Sequence, residues 1–147
     1  MSTRKILVVE DNPEERKIYS EYLGFVGGKT LKASNGEEGV RTAREQHPDL
    51  IILDLTMPVQ DGWATIRILR EDPETRRIPV IAVTSHHLAR KRLTDAGFTG
   101  YLEKPVAPFR ILEEVERCLG PLDEGEPSAN SFPKSGLGAS ALSPPEN

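Results

Sequence analysis

The stretch "PDLIILD" (residues 48–54) decides the fold. A proline and an aspartate precede four consecutive large aliphatic residues, and Asp54 closes the run. Such a run, with no polar alternation, suits a strand covered on both faces rather than half of an exposed sheet. Working outward, "KILVV" (5–9) and "PVIAVT" (79–84) share this character. "TLKAS" (30–34) and "GYLE" (100–103) are weaker and complete five strand candidates.

Amphipathic segments separate these runs. The first helix is predicted at about 13–25, with Asn12 as N-cap, Pro13 as first residue and Glu15 at the capping-box position. The second, about 36–46, repeats the layout with Asn35 and Glu38 and stops at His47-Pro48. The third runs about 62–71 from Asp61, the fourth about 87–96 before Gly97, and the fifth about 108–119 before Gly120-Pro121. Strict βα alternation implies a parallel sheet with right-handed crossovers and helices on both faces. Five strands favour the α/β, flavodoxin-like doubly wound order 2-1-3-4-5, whose site lies at the carboxyl ends of the strands.

Composition bounds the rest. The 147 residues suffice for one domain with a core, and a net charge of −4 argues against a chain-wide nucleic-acid-binding surface. One cysteine, Cys118, excludes an internal disulfide framework. The first apolar run is too short for a signal peptide, and no stretch approaches the roughly 18 apolar residues of a membrane span. A cytoplasmic location is expected. Residues 1–120 read as the folded domain. Residues 121–147 are rich in Pro, Gly and Ser and read as a disordered tail.

The strand ends carry the chemistry. Glu10 and Asp11 follow strand 1, Asp54 ends strand 3, Thr84 ends strand 4, and Lys104 follows strand 5. Crowded carboxylates raise each other's pKa unless a cation neutralises them, and Mg²⁺ is the hard, oxygen-seeking ion that suits such a set. Asp54 can then serve as a carboxylate nucleophile in phosphoryl transfer, with Lys104 and the Thr84 hydroxyl facing the transferred oxygens. Each residue also has a structural reading. Glu10 and Asp11 suit a helix entry, Asp54 a turn, Thr84 an ordinary strand, and Lys104 a solvated surface. Their placement at four strand ends of one sheet favours the chemical reading.

With these residues in place, "ILVVEDNPEER", "PDLIILDLTMPVQDGW", "PVIAVTS" and "YLEKP" resemble, in order and spacing, the receiver domain of bacterial two-component response regulators. The resemblance covers about 4–120. It implies Asp54 as phosphoacceptor, Asp11 as direct Mg²⁺ ligand, Glu10 as holder of a metal-bound water, and the Thr56 backbone carbonyl as a further ligand. It implies Thr84 and Tyr101 as a switch pair, a cis Lys104-Pro105 bond, and Pro58 and Gly62 as the loop after the acceptor. Partners follow: a histidine kinase or phosphotransfer protein upstream, and a protein target on the face of helix 4, strand 5 and helix 5.

Departures from the family pattern are local. Ser85 stands where Ala is usual, and the Thr84-to-Gly97 stretch is about two residues short. Thr56 and His86 occupy positions that flank the path of hydrolytic water. Elsewhere, the adjacent His86 and His87 lack helical metal spacing, residues 90–92 ("RKR") form a basic patch, and Trp63 and Cys118 suit packing.

The expected function is a single-domain phosphoacceptor regulator that catalyses only its own phosphorylation and dephosphorylation, with no nucleic-acid or membrane partner. A phosphohydrolase is disfavoured because Thr56 stands where such enzymes carry a second Asp. A phosphorylation-independent interaction module is disfavoured by the intact acidic set. A DNA-binding regulator is disfavoured by the short, acidic tail.

Overall fold

The computed structural model describes residues 3–57 and 60–122. Pro58 and the 123–147 part of the expected tail lie outside the described residues. Five strands and five helices alternate: β1 Lys5–Val9, α1 Pro13–Phe25, β2 Lys29–Ala33, α2 Gly36–Gln46, β3 Leu50–Asp54, α3 Gly62–Glu71, β4 Val80–Thr84, α4 Arg90–Ala96, β5 Gly100–Glu103 and α5 Pro108–Leu119. The sheet order is β2-β1-β3-β4-β5 and every pairing is parallel.

The aliphatic runs are explained by two-sided burial. Leu7, Val9, Ile51, Leu53, Val80 and Ala82 face a core closed by Val40 and Ala43 of α2, Ile66 and Leu69 of α3, and Leu93 of α4. Their alternates Ile6, Val8, Leu50, Ile52, Ile81 and Val83 face a second core closed by Tyr19 and Leu23 of α1 and Ile111, Leu112 and Val115 of α5. Side chains alternate across a strand, so a single run feeds both cores, and a one-residue slip would exchange them. Because all strands run parallel, their carboxyl ends meet on one rim.

Four helices, α1, α2, α3 and α5, have the predicted bounds, and the first three carry the predicted side-chain caps. The Asn12 side chain accepts from the amides of Glu14 and Glu15, Asn35 from Glu38, and Asp61 from Ala64. The capping-box acids do something else. Glu38 turns its carboxylate to the amide and hydroxyl of Ser34, at 2.7 and 2.8 Å, and Glu15 pairs with Lys104.

The fourth helix begins at Arg90, three residues later than the predicted 87. Ala89 precedes it and offers no side-chain cap. Residues 86–88 are held instead by the Tyr101 hydroxyl, which donates to the His86 carbonyl at 3.3 Å and accepts from the Leu88 amide at 3.2 Å. At the far end Gly97, with φ of 110°, supplies the left-handed turn that closes α4. Among the described residues, no helix is long and apolar enough to cross a membrane.

Candidate functional site

The rim collects the acids as the strand topology requires. Glu10 leaves β1 almost fully buried, its amide donating to the Ala33 carbonyl of β2. Asp54, the last residue of β3, is also buried, while Asp11 is exposed. One carboxylate oxygen from each of the three lies within 4.8 Å of the others. Local hydrogen bonds fix their approach. The Asn12 amide donates to Glu10 Oε2 at 3.2 Å, and the Arg16 guanidinium to the Glu10 carbonyl at 2.8 Å. The Thr56 amide donates to Asp54 Oδ1 at 3.1 Å.

The loop after Asp54 returns through Gly62, whose amide donates to the Leu55 carbonyl at 3.0 Å. A Cβ on Gly62 would stand 2.6 Å from Leu55 Cα and 2.9 Å from the Asp54 carbonyl oxygen. Only glycine lets α3 start this close to the end of β3. The requirement here is proximity, not a left-handed φ.

Lys104 completes the rim from the end of β5. Its amide donates to the Thr84 carbonyl at 2.7 Å, and the Lys104-Pro105 peptide is cis. Its ammonium lies 2.7 Å from Glu15, 3.3 Å from Glu10 and 3.6 Å from Asp54. Burial alone would lower the Lys104 pKa; the hydrogen bond to Glu15 and the charges of Glu10 and Asp54 outweigh it and hold the group above the ordinary lysine range. One cation cannot balance the set. Burial, reinforced by the Asp54 charge, pushes the Glu10 carboxyl up to about 8. Burial also raises Asp54, against the pull of the Thr56 amide and Lys104.

Three converging carboxylates, two of them buried, with an all-oxygen donor set fit a hard divalent cation. Glu10, Asp11 and Asp54 together could hold such an ion.

Thr84 is buried at the end of β4, beside Asp54 in the sheet, since Asp54 pairs with Val83. Its hydroxyl accepts from the His86 amide at 3.1 Å. Tyr101 is half-buried, with its ring against the α2–α3–α4 core and its hydroxyl on the loop that leaves Thr84. That loop also carries His87, which reaches Glu103 at 3.2 Å. The structure thus brings Glu10, Asp11, Asp54 and Lys104 together and places Thr84 and Tyr101 around the adjoining corner.

Glu15 is the site residue that sequence reasoning missed. Its position three residues past Asn12 suggested a cap, and its true partner lies on the β5–α5 loop. A first-turn acid on the helix that follows the Glu10-Asp11 pair was the available signal. Trp63 packs with one residue of the basic patch: the Arg92 guanidinium lies 4.4 Å from the Trp63 ring centroid, and Phe98 meets that ring edge-on at 5.9 Å. Cys118 is partly buried, which raises its thiol pKa.

Comparison with known proteins agrees with this geometry. The family model for the response regulator receiver domain matches residues 6–116. The polar-differentiation response regulator DivK of Brucella ovis is 34% identical over 120 residues, which span 80% of this chain and 98% of DivK. The receiver domain of a sensor histidine kinase from Pseudomonas aeruginosa PAO1, with a magnesium ion coordinated in its active site cleft, is similar at a TM-score of 0.73 and 32% identity, covering 81% of this chain and 99% of that one. The chemotaxis protein CheY4 of Vibrio cholerae matches at a TM-score of 0.75 and 28% identity over 79% of this chain and 98% of its own. With the parallel five-stranded sheet, its acidic rim and a family match across nearly the whole described fold, the chain belongs to the response regulator receiver domain family.

Proposed function

We propose that the chain is a phosphorylation-dependent switch whose acceptor is Asp54. The observation that carries this reading is the meeting of Asp54 with Glu10, Asp11 and the Lys104 ammonium on one rim. A histidine kinase or histidine phosphotransfer protein presents a phosphohistidine. The Asp54 carboxylate attacks the phosphorus, a P–O bond forms, and the P–N bond breaks with its electron pair leaving on the imidazole.

Asp11 and Asp54 would hold Mg²⁺ directly with the Thr56 carbonyl, and Glu10 would hold it through water. When bound, the ion offsets the crowded carboxylate charge and that of the incoming phosphoryl group. Lys104 contributes the second positive charge. Thr84 exchanges its hydrogen bond with the His86 amide for one to a phosphoryl oxygen. Tyr101 then leaves the His86–Leu88 loop and moves toward the space Thr84 vacates. These two changes bias the surface of α4, β5 and α5 between two arrangements, which a downstream protein reads. In this reading the chain acts in the cytoplasm through protein contacts, without a nucleic-acid output and without turnover of a separate substrate.

The test is incubation with acetyl phosphate and Mg²⁺, followed by intact mass. One phosphoryl group is expected on the wild-type chain and none on Asp54→Asn. Uptake that persists in Asp54→Asn would place the acceptor elsewhere.

A further inference from the structure

We propose that Glu15 is a positioning residue: its carboxylate holds the Lys104 ammonium toward α1 and must release it before that ammonium can meet a phosphoryl group on Asp54. The inference rests on the phosphoacceptor reading above and adds a competitor to it.

The geometry is specific. Lys104 Nζ is closer to Glu15, at 2.7 Å, than to Glu10 at 3.3 Å or Asp54 at 3.6 Å. The pair is partly sheltered, with 16% of the Lys104 side chain and 36% of the Glu15 side chain exposed. The first turn of α1 sets this placement. The Asn12 side chain takes the Glu14 and Glu15 amides, and the Arg16 guanidinium anchors that turn to the Glu10 carbonyl. Glu15 is therefore not needed as a capping acid, and its carboxylate is available to Lys104.

An ammonium has three N–H donors and here faces three carboxylates. A phosphoryl group on Asp54 adds acceptor oxygens beside the weakest of those contacts. Lys104 can meet them well only by giving up part of its contact with Glu15. The pair opposes capture of a tetrahedral anion at Asp54, and weakening it should raise anion affinity.

The experiment titrates the full-length chain with beryllofluoride in saturating Mg²⁺ by calorimetry. Glu15→Gln is expected to bind about three- to tenfold more tightly than wild type, the scale of a partly sheltered ion pair. Glu14→Gln removes the same charge one residue away and is expected to stay within about twofold of wild type. The Lys104 ammonium NMR signal should move in Glu15→Gln before any beryllofluoride is added, and stay in place in Glu14→Gln. Glu15→Ala removes the amide oxygen that Gln still offers and should gain at least as much. It also serves as the second variant if Glu15→Gln folds poorly.

Unchanged or weaker binding in both Glu15 variants overturns the proposal. So does an equal gain in Glu14→Gln, which would assign the effect to the general field of α1. A wild-type chain that binds no beryllofluoride removes the phosphoacceptor reading itself. Wild-type binding with no Glu15 effect removes only the role of Glu15.

Discussion

The turn that leads from β1 into α1 and the turn that leads from β4 into α4 occupy equivalent places in the βα alternation, yet they are built oppositely. The first is short and closed. Asn12 caps two amides, Pro13 preorganises the first helical residue, Arg16 ties back to the Glu10 carbonyl, and thirteen helical residues follow. The second runs from Ser85 to Ala89 with no side-chain cap, and α4 has only seven residues, with Leu93 its single buried one. A site that recognises charge needs carboxylates that stay in place, and the β1 side provides that. The proposed switch needs an element whose two arrangements differ little in free energy, and the thin packing on the β4 side suits that proposal. Each half of this contrast can be attacked separately.

The largest expected effect lies on the closed side and is driven by pH. Glu10 has a folded-state pKa pushed up to about 8 by burial and by Asp54, against an ordinary value of 4.5. Between those two values the folded chain binds more protons than the unfolded chain, so stability falls as pH rises. The fall is expected mostly between pH 5 and 8, on the order of 1 kcal/mol per pH unit at its steepest. Urea melts in a chelator should show this slope, and Glu10→Gln should flatten it. Saturating Mg²⁺ should oppose it as well, because the cation binds the ionised carboxylates. A slope that survives Glu10→Gln would mean that the strain of the pocket resides in another group.

Next in size is Leu93→Ala, on the open side. Leu93 is the one buried residue of α4 and its main anchor in the core between α3 and the sheet, with Ala96 partly buried beside that core. Truncating a buried leucine costs about 2–5 kcal/mol. The loss is expected to concentrate in α4, so hydrogen exchange should accelerate there more than in β1 and β3. Equal acceleration in both regions would show that the corner and the pocket unfold as one unit, and the contrast would fail.

The parts of the molecule that were legible in the sequence follow the same division. β1 and β3 read directly because their apolar runs reflect burial, the weaker β5 also has the expected bounds, β4 differs by one residue at its start, and β2 is shifted by one residue at both ends. The helices that start at Asn12, Asn35 and Asp61 read well because a local side chain sets their first turn. The α4 boundary did not. Ala89 carries no cap signal, and residues 86–88 are kept out of the helix by Tyr101, a residue on another strand. Likewise the Glu10–Asp11–Asp54 cluster follows from where parallel strands end. The Glu15–Lys104 pair depends on how α1 is phased against the β5–α5 loop, and no local pattern encodes that.

The smallest expected effect tests the contact that defines the open corner. Tyr101→Phe keeps the ring against the core and removes the hydroxyl that bridges the His86 carbonyl and the Leu88 amide. Both bonds are long and part-exposed, and water can replace them, so the global cost should be no more than about 1 kcal/mol. Locally the change should be larger: the Leu88 amide should exchange faster, and α4 should fray from its uncapped start. The closed side should not respond, leaving phosphoryl uptake at Asp54 close to wild type in the mass assay. A loss of uptake on removing this one hydroxyl would show that the corner governs access to the acceptor as well as responding to it. The division between a fixed pocket and a movable corner would then have to be redrawn around Thr84, whose own hydroxyl accepts from the His86 amide in the same loop.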